Sequence, residues 1–135
     1  MPFKNLANQL TKPTEDKQKS YSSLSGRVED GATIISASFT VQAPMKELEK
    51  DLSDELTALA GRVYDHDGII GHIKASTEIS HMQMYSITDT ILHVKEGEYD
   101  TIVISFAFIL YLIEVDTATA WAREIMERLQ ERFPL

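Results

Sequence analysis

Four histidines, His66, His72, His81 and His93, stand in a chain rich in carboxylates. The densest grouping is Tyr64-Asp65-His66-Asp67-Gly68, with His72 shortly beyond it. Imidazole and carboxylate together suit a divalent transition metal, and Asp65, His66, Asp67 and His72 could supply such a set. Their spacing matches no established metal signature. Asp-His-Asp-Gly is too short for a calcium-binding EF-hand loop, which needs further oxygen ligands at alternate positions and a later glutamate. The simpler expectation for the same residues is a polar turn whose aspartates bond their own backbone.

The other histidines do not extend the set. His72 and His81 belong near opposite ends of one strand, roughly 30 Å apart, and cannot easily share an ion. Asp89 and His93 fall on one strand face, but four residues of strand separate them by about 13 Å, so they form no dyad. The parity of Asp89 clashes with that of Ile87 and Ile91, which points to a bulge or an edge strand with an inward charge. Serines are plentiful, yet no G-x-S-x-G elbow, G-x-x-x-x-G-K-[ST] loop or G-x-G-x-x-G turn occurs. The chain has no cysteine, which excludes disulfides, thiolate metal sites and cysteine nucleophiles. No catalytic residue is assigned and no cofactor is predicted beyond the metal just considered.

Charge narrows the partners. The net charge is −8 over 135 residues. Residues 1–20 hold Lys4, Lys12, Lys17 and Lys19 against Glu15 and Asp16, a balance of +2, so the rest carries −10. A body that acidic repels phosphate backbones, and nucleic acid is not expected as a partner. The one strongly apolar run, Thr101 to Ile113, is too short for a spanning helix and is bracketed by Asp100 and Glu114. No secretory leader is read at the N-terminus. These features point to a cytoplasmic protein without a membrane span.

The elements that must position these groups follow from periodicity. Residues 1–22 read as a flexible, mildly basic segment, with Phe3, Leu6, Ala7 and Leu10 on one weakly helical face. Residues 23–135 suit a single α+β domain. Alternation from Thr33 to Val41 predicts a half-buried strand. A partner strand over Ser23–Val28 would reach it through a turn at Glu29-Asp30-Gly31. Met45, Leu48, Leu52, Leu56 and Leu59 make an apolar helical stripe behind Pro44, with Gly61 as the expected cap. The acidic residues opposite that stripe read as a solvated helix face. Three strands are expected near Ile69–Ile79, Tyr85–Val94 and Thr101–Ile113. A final helix would open at Asp116 or Thr117 and bury Trp121, Ile125 and Leu129. The order is β-α-β-β-β-α, perceived as a two-layer sandwich. Its mixed or antiparallel sheet has four to five strands, with two helices on one face. The first two strands are placed to run parallel, and the last three as an antiparallel meander.

Strand parity then sorts the sheet into two faces. One collects Ile35, Phe39, Ile69, Ile73, Ile79, Ile87, Ile91, Ile102, Ile104, Phe106, Phe108 and Leu110, and is expected to meet the helices. The other collects Ser36, Ser38, Ser76, Thr88 and Ser105 with Ala107, Ile109 and Tyr111. Its small hydroxyls around an apolar strip would let another surface approach closely. The leading expectation is therefore a non-enzymatic interaction and assembly module that homo-oligomerises through that face. The alternative is a metal- or small-ligand-binding protein, an enzyme included, with its site at Asp65–His72.

Two ungapped stretches sharpen where a turn site would sit. GRVEDGATII from Gly26 and GRVYDHDGII from Gly61 agree at six of ten positions. The likeness does not extend beyond them, so no repeat architecture is implied. His66, Asp67 and Gly68 in the second copy stand against Gly31, Ala32 and Thr33 in the first, making the second turn the more polar one.

Overall fold

The computed structural model describes residues 22–80, 83–88, 91–96 and 100–135; for 80, 83–88 and 91–96 it describes the backbone alone. The segment read as flexible and basic lies, apart from Ser22, outside the described residues. The described chain is an α+β assembly of six strands and two helices. They run β1 (Ser23–Glu29), β2 (Ala32–Ala43), α1 (Met45–Asp65), β3 (Ile69–Ser80), β4 (Gln83–Thr88), β5 (Ile91–Glu96), β6 (Asp100–Tyr111) and α2 (Val115–Arg132).

Four strands form one antiparallel sheet in the order β1-β2-β6-β3. The β1–β2 hairpin closes through two residues, Asp30 and Gly31, at φ 51° and 81°. A two-residue turn with both residues left-handed matches the twist of its strands, and Asp-Gly is among its preferred pairs. Strands β2 and β6 are interior, and β6, the most apolar run of the chain, is hydrogen-bonded to β2 and β3.

Both helices cover one face of this sheet. Ile35, Phe39 and Val41 of β2 and Ile102, Ile104, Phe106, Phe108 and Leu110 of β6 are buried with Leu48, Leu59 and Val63 of α1. Trp121, Ile125 and Leu129 of α2 join the same core, as expected from its stripe. Phe106 stands edge-on to Phe39 and stacked on Phe108, both with ring centroids 5.3 Å apart. Helix α2 comes so close to β1 that a β-carbon on Gly26 would collide with the Thr119 hydroxyl. Thr33, buried at the end of β2, donates its hydroxyl hydrogen to the Ile113 carbonyl at 2.6 Å and ties the sheet to the start of α2.

Several local expectations differ from the structure. The strand expected over Tyr85–Val94 is two strands, β4 and β5, paired with each other as a separate two-stranded ribbon. Alternation on both sides of the break disguised it; Asp89, whose parity clashed, falls at that break and outside the described residues. The two strands flanking α1 do run in the same direction, as expected, but they are not paired with each other. They never meet, because β6 lies between them and pairs antiparallel with each. Helix α1 runs past Gly61 to Asp65, since no close contact or left-handed φ halts it there. Helix α2 starts at Val115 with Glu114 as its N-cap residue, earlier than Asp116, and the Ala118 amide donates to the Glu114 carbonyl at 3.0 Å. Strand β6 stops at Tyr111 because Leu112 turns left-handed, φ 63°. Ile69 leaves the helix-facing side for the other face. A register shift between Ile70 and His72 reverses the parity of everything before it, leaving Ile69 opposite Tyr111 and 55% exposed.

Candidate functional site

The turn with the histidine and aspartates is, structurally, the end of α1. Asp65 is the last helical residue, His66 the C-cap, and Asp67 turns left-handed at φ 58°. The Gly68 amide donates to the Val63 carbonyl at 2.9 Å and the Asp67 amide to the Tyr64 carbonyl at 3.0 Å. Those two bonds, closing six- and four-residue spans around a left-handed residue, make a Schellman ending with aspartate where glycine is commonest. His66 is engaged as well. Its Nδ1 lies 2.9 Å from the Arg62 carbonyl oxygen, and its ring stands edge-on to Trp121 at 4.8 Å. His72 sits beyond the β-bulge, exposed on β3 opposite Ile109. Asp65, His66 and Asp67 are thus held together by the cap, while His72 belongs to the sheet. Among the described residues, no group of three or more histidines and carboxylates is disposed to hold a metal ion. His81 and His93 lie where no side chain is described.

Ion pairs concentrate on the helical side of the molecule. Arg62 of α1 donates to Glu124 of α2 at 2.8 Å and lies 5.0 Å from the Trp121 ring centre. Arg128 pairs with Glu55 at 2.9 Å, and Arg132 with Asp51 at 2.8 Å. The Arg62 hydrogen bond, aided by the charges of Arg62 and Arg128 against a smaller desolvation penalty, holds the Glu124 carboxyl below its ordinary range. The Glu55 carboxylate raises Arg128 in the same manner. Every arginine of this lattice is matched by a carboxylate across the helix pair, so the lattice joins α1 to α2. A groove of about 500 Å³ between the helices is lined by Asp51, Glu55, Arg128 and Arg132 of this lattice together with Asp54, Leu129 and Glu131.

The face of the sheet away from the helices is different in kind. Hydrogen-bond register places Ser23 of β1 opposite Ser38 of β2, Ser38 opposite Ser105 of β6, and Ser105 opposite Ser76 of β3. One serine from each strand therefore forms a row across the whole sheet. The next row toward the β1–β2 turn is Ser25, Ser36, Ala107 and Lys74; on the other side Thr40, Val103 and Glu78 line up. Further toward the turn come Arg27, Ile34, Ile109 and His72, and then Tyr111 beside Ile69. Ser36, Ser76, Ala107, Lys74, Glu78 and Tyr111 are exposed, and Ser38, Ser105, Val103 and Ile109 are half-buried by their neighbours in the sheet. No described helix lies over them.

Of the residues expected on this surface, Ser36, Ser38, Ser76, Ser105, Ala107, Ile109 and Tyr111 are brought together on one continuous face. Thr88 is not among them; it lies on β4, opposite Ile91 in the separate ribbon, where its side chain is not described. Sequence reasoning missed Ser23 and Ser25, which complete the rows from β1. The two-residue turn after Glu29 was the available signal, since it dictates which β1 residues lie opposite Ser36 and Ser38.

No protein-family model, curated protein or solved structure matches the chain. No helix among the described residues is long and apolar enough to cross a membrane.

Proposed function

We propose that this protein is a non-catalytic assembly module of the cytoplasm that homo-oligomerises through the sheet face opposite its helices. The observation carrying this reading is the serine row Ser23–Ser38–Ser105–Ser76, one residue from each strand, in the middle of a face no described helix covers. Lysines and glutamates dominate freely solvated surfaces because their heads stay in water; serine, alanine and threonine do not hold another surface away. The apolar residues on β6, Val103, Ala107, Ile109 and Tyr111, supply area whose burial would drive association. Homodimers with two-fold symmetry are the commonest outcome for such a self-complementary patch.

Light scattering or sedimentation at micromolar concentration tests the reading. A strictly monomeric protein overturns it. Ala107→Glu or Ser105→Glu dissociates the assembly and leaves the circular dichroism spectrum unchanged, because neither residue touches the helix-facing core.

The competing reading is a divalent transition metal or small ligand at Asp65, His66, Asp67 and His72. The first three already serve or flank the α1 cap, and His66 has a partner on Nδ1. Elemental analysis of untagged protein distinguishes the two: stoichiometric zinc, nickel or manganese would favour the metal.

A further inference from the structure

Lys74 and Glu78 are exposed charges on the outer face of β3, one of the two edge strands of the four-stranded sheet. Ala75 between them packs on the core, which confirms that the even-numbered residues here face outward. Among the described residues neither Lys74 nor Glu78 has an ion pair. Four residues of strand put them about 13 Å apart, too far to pair with each other. Their neighbours across the strand are Ala107 and Val103, not charges. They sit in the two rows flanking the serine row, one on each side, equally far from Ser76.

That symmetry has a geometric consequence. If two copies stack face to face about a two-fold axis running along the serine row, each strand lies antiparallel over its own counterpart. The rows on either side of the axis then exchange places. Lys74 comes opposite the partner's Glu78, and Glu78 opposite the partner's Lys74. The same operation sets Ala107 opposite the partner's Val103 and each serine of the row opposite itself. A rotation about an in-plane axis perpendicular to the strands also preserves their twist, so the two sheets can stack as aligned layers. Facing sheets lie about 10 Å apart, a gap that an extended lysine and glutamate span together.

We infer that the assembly is an isologous dimer whose two-fold axis follows Ser23–Ser38–Ser105–Ser76, closed by two reciprocal Lys74–Glu78 ion pairs at the β3 edge. This rests on the proposed use of the outer face, and adds the partner's orientation and the charges that select it. The small rows at the centre let the sheets approach. The paired charges at the rim penalise other registers, since a shift of two residues along the strands separates both pairs by about 7 Å.

Charge reversal in the full-length chain tests the axis, with Ala107→Glu run beside it and circular dichroism as the check on folding. Lys74→Glu alone sets two pairs of carboxylates against each other, and Glu78→Lys alone two pairs of ammonium groups. Each weakens the dimer by about tenfold or more at low salt. An equimolar mixture of the two variants recovers a heterodimer, and the double variant Lys74→Glu/Glu78→Lys recovers a homodimer. Mixing is the decisive arm, because it restores opposite charges only if these residues face each other between copies. If Ala107→Glu dissociates the dimer while the charge variants associate normally, or if mixing fails to recover assembly, the axis is wrong and the face stands. If Ala107→Glu also leaves assembly unchanged, the outer face is not the interface and both readings fall.

Discussion

Strands β2 and β6 present two faces that obey opposite rules. Toward the helices they offer Ile35, Phe39, Val41, Ile104, Phe106 and Phe108, all buried. On the other side, at the alternate positions, they offer Ser36, Ser38, Thr40, Ser105 and Ala107 beside Ile34, Val103 and Ile109. The inner face is large, apolar and closed by its own chain. The outer one is small and partly hydroxylated, and no described helix covers it, although Thr40 on it is buried. A lone domain needs only the first to fold; the proposed assembly would use the second. The difference teaches that burial explains half of each strand, and that the choice of small residues on the other half calls for a separate cause.

The comparison breaks most visibly at Phe39. Phe39→Ala removes a fully buried ring that packs edge-on to Phe106, and is expected to cost about 3–5 kcal/mol in urea unfolding. Ser36→Ala, on the open face, shifts the same measurement by no more than about 0.5 kcal/mol. Equal losses would show that the outer face is also closed within one chain.

Thr33 gives an intermediate effect. Replacing it with valine keeps the shape and leaves the Ile113 carbonyl without its buried donor, an expected loss of about 1–3 kcal/mol. A neutral result would mean that the hydroxyl does not hold the β6–α2 junction to the sheet.

The helical lattice gives a smaller effect than either buried site. Since the Glu124 carboxyl is held below its ordinary range in the folded chain, its contribution is present above the unfolded value. It is lost as pH falls from about 4.3 through the lower folded value. Solvent screens this half-exposed group, so Glu124→Gln is expected to lower stability at neutral pH by less than about 1 kcal/mol and to flatten that part of the acid limb. Unfolding midpoints of the variant and wild type between pH 3 and 6 check both the size and the sign.

The two similar decapeptides show how far local sequence can be trusted. GRVEDGATII became strand, turn and strand; GRVYDHDGII became the last turns of a helix, its cap and a strand. Gly26 lies under α2, whereas Gly61 lies in an exposed helical turn with nothing near it. The aspartates that align, Asp30 and Asp65, are respectively left-handed and helical; the left-handed residue in the second stretch is Asp67. The polar groups that made this turn look like a metal site are part of a helix ending, a use that spacing alone does not separate from ligation.

Much of the architecture was legible because its causes are local. The period-two pattern of β2 and β6 and the stripes of α1 and α2 follow from which residues each element must bury, and they yielded the α+β class and most of the inner face. Seven of the outer-face residues followed from the same parity. What parity could not supply was register. The order β1-β2-β6-β3, the bulge that turned Ile69 outward, the break between β4 and β5, and the alignment of four serines all depend on hydrogen bonds between residues far apart in the chain. A strand's own sequence says which residues share a face. Only pairing with its neighbours decides which residues of different strands stand side by side, and so whether scattered serines become a surface.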